Sequence, residues 1–148
     1  DSNLSEADIL DWAQRIIESR FKRCNYLTSP EIVREYLRAQ LATEEREVFC
    51  IIMLDSKHGV LHFEPLFYGT IDGANVYPRE VIKTVLNTNA AAVILAHNHP
   101  SGDPEPSQSD IALTKRIQTA LLTVDVRLLD HLIIGGAVAV SFAERGLL

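Results

Sequence analysis

The chain reads as an α/β protein, a mixed β-sheet flanked by helices. Three observations predict this class. Short apolar, β-branched runs of strand length alternate with longer segments of helical periodicity. Their order along the chain is α, α, β, β, α, β, α, β, β. Adjacent strands joined by a few residues form hairpins, whereas strand–helix–strand steps demand a crossover, so the sheet mixes both directions.

Each element has a local reason. Residues 5–22 form a helix with Ser5 as N-cap, Glu6 and Asp8 in the first turn, and Ile9, Ala13, Ile16 and Ile17 on one face. A second helix starts at Ser29-Pro30, proline being pre-organised for the first helical position, with Ile32, Val33, Tyr36 and Leu37 as its apolar set. Residues 39–46 are a polar connection. EVFCIIMLD (47–55) is a buried strand, SKHG (56–59) a turn, and VLHFEPLFYG (60–69) the second arm of a hairpin. Pro65 cannot donate to a ladder and marks an edge or a bulge.

PREVIKTVLNTNA (78–90) is a helix opened by Pro78, and AAVILAHNH (91–99) is an apolar strand ending in three polar residues. The prolines and glycine of PSGDPEP (100–106) make a constrained loop. Residues 107–123 form a helix whose inner side offers Ile111, Leu113, Thr114, Ile117 and Leu121. Strands 126–136 and 137–142 meet at a Gly-Gly turn. The domain reading is a helical extension over 1–40 followed by one domain over 41–148.

Composition excludes several classes. A net charge of -6 argues against a basic nucleic-acid footprint and against binding an anionic membrane. No apolar run approaches the roughly 18–20 residues of a transmembrane helix. The start lacks a signal-peptide pattern and an initiator methionine, so a fragment or processed form is expected, with room for a missing N-terminal module. Cys24 and Cys50 form no Cys-x-x-Cys pair and fit free thiols of a cytoplasmic protein, Cys50 as a small core residue.

The chemistry concentrates in Ala96-His97-Asn98-His99-Pro100 and Ser107-Gln108-Ser109-Asp110. Residues i and i+2 of a strand share a face, so His97 and His99 present two imidazoles together at a strand's C-terminal end, while Asn98 faces away. The loop returns the chain to a helix carrying Asp110 in its first turn. Two imidazoles and a carboxylate leave one corner of a Zn²⁺ tetrahedron open for water, the arrangement of a catalytic site. Alone, His-x-His is a weak metal signal, and Ser107-x-x-Asp110 has the form of a capping box. The two roles are compatible, because a capped first-turn Asp can still present a carboxylate to a cation.

Together, His97-x-His99-Pro100 and Ser107-x-x-Asp110 resemble the metal motif of the JAMM/MPN+ metalloproteases. The longer string HNHPSGDPEPSQSD, the lead-in PREVIKTVLNTNAAAVILAHNHPSG and the downstream Asp130-His131 resemble the RadC family of bacterial JAB-domain proteins, from about Glu47 to the C-terminus. The resemblance implies a JAB/MPN-like layered fold akin to that of cytidine deaminases, with zinc held by His97, His99 and Asp110. It implies an upstream glutamate as general base, for which Glu47 is the best match and Glu44, Glu45 and Glu64 are competitors. It implies that Ser107 stabilises the oxyanion. The expected reaction is metal-assisted hydrolysis of a peptide or isopeptide amide, with a peptide or protein as partner.

Other polar residues are less determined. Asp130 and His131 interrupt an apolar run, either as a second layer behind the metal or as a hydrogen-bonded pair inside the domain. Ser101 and Asp103 lie in the loop within reach of a substrate, and His58 and His62 read as a turn residue and a strand-surface residue. An HNH endonuclease is disfavoured, since its histidines are spread over separate elements. The zinc deaminases' H-x-E and P-C-x-x-C are absent. The main alternative is a DNA-repair-associated or regulatory binding module with a structural or little-used zinc site. Residues 1–40 are too short for a helix-hairpin-helix module, so direct DNA binding finds little support. The C-terminal strands leave a dimer open.

Overall fold

Two runs of seven residues, VFCIIML and AVILAHN, are buried at every position, which requires a strand covered on both faces. They are the centre of a five-stranded sheet. In the computed structural model, which describes residues 3–71 and 76–148, the elements are α1 (Glu6–Lys22), α2 (Pro30–Leu41), β1 (Val48–Leu54), β2 (Val60–Tyr68), α3 (Pro78–Thr88), β3 (Ala92–Asn98), α4 (Gln108–Leu122), β4 (Arg127–Gly135) and β5 (Val138–Ser141). The strand order is β2-β1-β3-β4-β5. Only β3 and β4 are parallel, joined through α4; the other pairs are antiparallel. This is the expected mixed sheet flanked by helices.

The period-2 alternation of β1 and β3 divides the core. Cys50, Ile52 and Leu54 pack with Ile94, Ala96 and the α2 residues Val33, Leu37 and Leu41 on one face. Phe49, Ile51 and Met53 pack with Val93, Leu95 and residues of α3 and α4 on the other. Pro65 lies on an edge strand, beside a register shift that pairs Phe49 with Phe67 and Cys50 with Pro65, so the strand is both edge and bulged. α3 ends at Asn89, which takes the left-handed conformation with φ 60°. Both cysteines are free and buried.

The inner side of α4 is as expected at Leu113, Thr114, Ile117 and Leu121, all buried, with Ile111 half-buried. α1 differs from its pattern. Residues 3–16 are exposed throughout, including Ile9 and Ile16; of the expected face only Ile17 packs, next to Phe21, whose ring stacks on Tyr36 at 3.7 Å. Helical periodicity fixes which residues share a face, not whether anything lies against it. Among the described residues no helix is long and apolar enough to cross a membrane.

Candidate metal centre

β3 ends in alternating polar residues, and its alternation sends His97 to the α4 side and Asn98 to the α2 side. Asn98 accepts a hydrogen bond from Val48 N–H at 2.7 Å and donates to the Arg46 carbonyl at 3.0 Å. It thereby grips the backbone on both sides of Glu47. His99 follows in the loop, its N–H bonded to the Ile134 carbonyl at 2.8 Å.

Ser107 caps α4. Its Oγ accepts from Asp110 N–H at 3.0 Å, and the Asp110 carboxylate accepts from Ser107 N–H at 2.8 Å, completing the capping box. The cap aims the carboxylate back at the histidines. His97 Nε2 lies 3.2 Å from Asp110 Oδ1, His99 Nε2 lies 3.2 Å from Asp110 Oδ2, and the two Nε2 atoms are 3.1 Å apart. One ligand atom from each of the three residues lies within 4.8 Å of the others. Bonds of about 2.0–2.1 Å to a tetrahedral zinc place neighbouring ligand atoms about 3.3–3.4 Å apart. Each imidazole meets a different oxygen of Asp110 at close to this distance, and the N,N,O donor set is of the kind such an ion takes.

Burial grades across the cluster. His97 is 1% and Asp110 3% exposed, whereas the His99 side chain retains 16% and forms the open side. Burial pushes the Asp110 carboxyl up, but in the metal-free cluster a protonated His97, through its hydrogen bond and charge, and the Ser107 donors outweigh it and hold the group well below the usual carboxylate range; a bound cation would take the place of that proton. Asp110 is thus a carboxylate at neutral pH, as a ligand must be.

The surroundings are largely aromatic. The ring of Phe49 lies 6.0 Å from that of His97 and 5.7 Å from that of His131, and Phe142 stacks on His131 at 4.6 Å. His131 is fully buried behind the cluster, with Nε2 2.7 Å from His97 Nδ1 and Nδ1 2.7 Å from Thr114 Oγ1. Burial, more than the neighbouring His97, drives its pKa well below the ordinary histidine value, so it is neutral. Asp130 serves the other face. It accepts from His131 N–H at 2.7 Å, Ser141 Oγ at 2.6 Å and Ala143 N–H at 3.0 Å, and it meets Tyr26. The two readings of Asp130-His131 thus divide between the two residues.

Glu47 sits two positions before Phe49, the residue opposite His97 in the β1–β3 ladder. It stands outside the three-residue cluster, half-buried, and its carboxylate accepts a hydrogen bond from Ile71 N–H. Its carbonyl accepts from Gly69 N–H at 2.9 Å. Glu44 is half-buried and lines a cleft of about 100 Å³ with Asn98, His99 and Gly102. Glu45 is exposed, and Glu64 pairs with His62 at 3.5 Å on β2. His62 is the expected strand-surface residue, and His58 a turn residue with φ 65°.

Ser101 and Asp103 shape the loop. Ser101 Oγ accepts from Asp103 N–H at 3.3 Å, and Asp103 Oδ1 from Glu105 N–H at 3.1 Å. The backbone carbonyl of Asp103 lies 2.8 Å from His99 Nδ1. Thr114 was legible only as an inner-face helix position; its hydroxyl contact to His131 has no sequence signal. Asn98 was legible only as facing away from the histidines.

Fold and site together define an α/β domain with a His-His-Asp cluster able to hold a metal, at the junction of a central strand and a helix N-terminus. The chain belongs to the RadC-like JAB domain family, whose model matches residues 27–147. It is 56% identical over 138 residues to a UPF0758 protein of Cellvibrio japonicus, a match covering 93% of this chain and 62% of that protein. It is 52% identical over 141 residues to a UPF0758 protein of Vibrio cholerae, covering 95% and 89%. The chain therefore spans less than two thirds of the first of these relatives and most of the second.

Proposed function

We propose that the protein is a zinc-dependent hydrolase of amide bonds in a peptide or isopeptide substrate. The observation that carries the reading is the approach of His97 Nε2, His99 Nε2 and the Asp110 carboxylate to 3.1–3.2 Å of one another at a partly open site. Three protein ligands leave a fourth position for water or substrate. When bound there, zinc supplies Lewis acidity that lowers the pKa of water to about 7.

The chain's own residues supply the rest. Glu47 accepts the proton of the attacking water and returns it to the leaving amine as the C–N bond breaks and a C–O bond forms. The Ser107 oxygen accepts the Asp110 N–H, which leaves its own proton for the oxygen of the scissile carbonyl. The serine can thus cap the helix and donate at once. Phe49 and Phe142 keep the inner side of the cluster dry, which strengthens each charge interaction there.

The test is metal analysis of the purified chain followed by a peptide-library cleavage screen with zinc, using Glu47→Gln as the blank. One zinc per chain and cleavage absent from the blank are expected. Zinc without cleavage of any peptide would favour the binding-module alternative.

A further inference from the structure

Behind the cluster runs a chain of hydrogen bonds in which each link has one permitted direction. Thr114 Oγ1 lies 2.7 Å from the Asp110 carbonyl oxygen. A carbonyl can only accept, so the Thr114 hydroxyl donates its single proton there. Toward His131 Nδ1, also 2.7 Å away, the same oxygen can then only accept. The proton of the His131 ring is therefore on Nδ1. His131 is completely buried, and among the described residues its two ring nitrogens meet the Thr114 hydroxyl and His97, with no carboxylate against either; with its ring proton on Nδ1, its Nε2 is the bare acceptor. His97 Nδ1, 2.7 Å from it, must be the donor. That leaves His97 Nε2, the atom facing Asp110 and His99, as the ring position with its lone pair free for a cation.

We propose that Thr114 and His131 are positioning residues that fix His97 in the Nδ1–H form and so hold its Nε2 ready for the metal. This rests on the reading of His97, His99 and Asp110 as a metal centre. The relay begins and ends at that centre, because the Asp110 carbonyl starts it and the Asp110 carboxylate meets its product. His99 reaches the same form more simply, through the Asp103 carbonyl 2.8 Å from its Nδ1. The half-buried histidine is thus oriented by a loop carbonyl, and the buried one by side chains from α4 and β4. Partners of this kind typically account for 10–100-fold in metal affinity.

The test is zinc affinity of the full chain, by competition with a chromogenic chelator, for wild type, Thr114→Val and Thr114→Ser, with thermal melting of each metal-free protein. Thr114→Val keeps the shape and removes the hydroxyl; Thr114→Ser keeps the hydroxyl and removes a methyl. The relay predicts affinity about 10–100-fold weaker for Thr114→Val and near wild type for Thr114→Ser. A packing role predicts the reverse order, and Thr114→Val binding like wild type would overturn the proposal. Nitrogen-15 shifts of the wild-type imidazoles, which need no variant, should place a proton on Nδ1 of both His97 and His131 in the zinc form. A proton on His131 Nε2 would overturn it equally. Wild type that binds zinc but cleaves nothing removes the hydrolase reading and leaves the relay standing, whereas wild type that binds no zinc overturns both.

Discussion

The carbonyl oxygen of Gly102 lies 2.7 Å from the point where a β-carbon on Gly135 would stand. The backbone nitrogen of Pro104 is 2.8 Å from the same point. The 100–106 loop therefore rests directly on the end of β4, and both obstacles are backbone. Gly135→Ala must lift the loop, and with it the Asp103 carbonyl that orients His99. A stability loss of about 1–3 kcal/mol in urea melts is expected from the overpacking, together with weaker zinc binding. Native zinc affinity in this variant would show that the loop does not set His99.

Glu47→Gln is isosteric and lies outside the ligand cluster. It should bind zinc as wild type does and lose about 10²–10⁴-fold in hydrolysis rate, the usual contribution of a positioned base. If its turnover is undiminished, the half-buried Glu44 beside His99 becomes the residue to replace.

Ser107→Ala separates two roles by magnitude. Loss of the cap costs about 1 kcal/mol of stability, whereas loss of an oxyanion donor costs about 10²–10³-fold in rate. Both losses are expected in the same sample. A lowered melting temperature with normal turnover would reduce Ser107 to a cap.

Asn98→Ala strips the partners from the Val48 N–H and the Arg46 carbonyl, which flank Glu47. Leaving buried polar groups unpaired costs about 1–3 kcal/mol. Since Asn98 faces away from the ligand cluster, the expected pattern is reduced stability and turnover with zinc affinity near wild type, read by chelator competition. A zinc defect equal to the rate defect would place Asn98 in the support of the metal instead.

Tyr26 gives a pH signature. Burial, with the Asp130 carboxylate beside it, pushes its phenol up from 10.0 to about 12. Below the unfolded value the phenol is protonated whether the chain is folded or not. As pH rises from about 10 to about 12, the unfolded chain sheds the proton first, and stability falls through that window. Tyr36 is raised similarly by burial, so Tyr26→Phe should flatten the fall in part. Urea melts at several alkaline pH values measure it, and an unchanged slope would refute the assignment.

The sequence carried the fold because its signals were local. Ser5 and Ser107 cap where the pattern starts, Pro30 and Pro78 open helices, and seven apolar residues in a row announce a doubly covered strand. The candidate cluster was legible for the same reason: one i, i+2 step at the end of β3 and one helical cap bring His97, His99 and Asp110 together. What the sequence hid depends on contacts between distant segments. His131 and Asp130 are neighbours in a strand, so alternation says that they part, but only the packing of α4 and Phe142 shows which one backs the cluster. Asn98 bridging Arg46 and Val48, and Tyr26 meeting Asp130, are also long-range. The exposed stripe of α1 was hidden because periodicity marks a face without naming its neighbour.

All three candidate ligands fall between residues 97 and 110, a stretch short enough to gather round a cation before the sheet exists. A denatured chain that also captures zinc competes by mass action with the native one, and the rise in melting temperature then falls short of the native affinity. What the denatured ensemble lacks is His131, 34 residues from His97 along the chain. On the proposed reading, an ion's preference for the folded molecule would then draw on a residue that does not touch the ion.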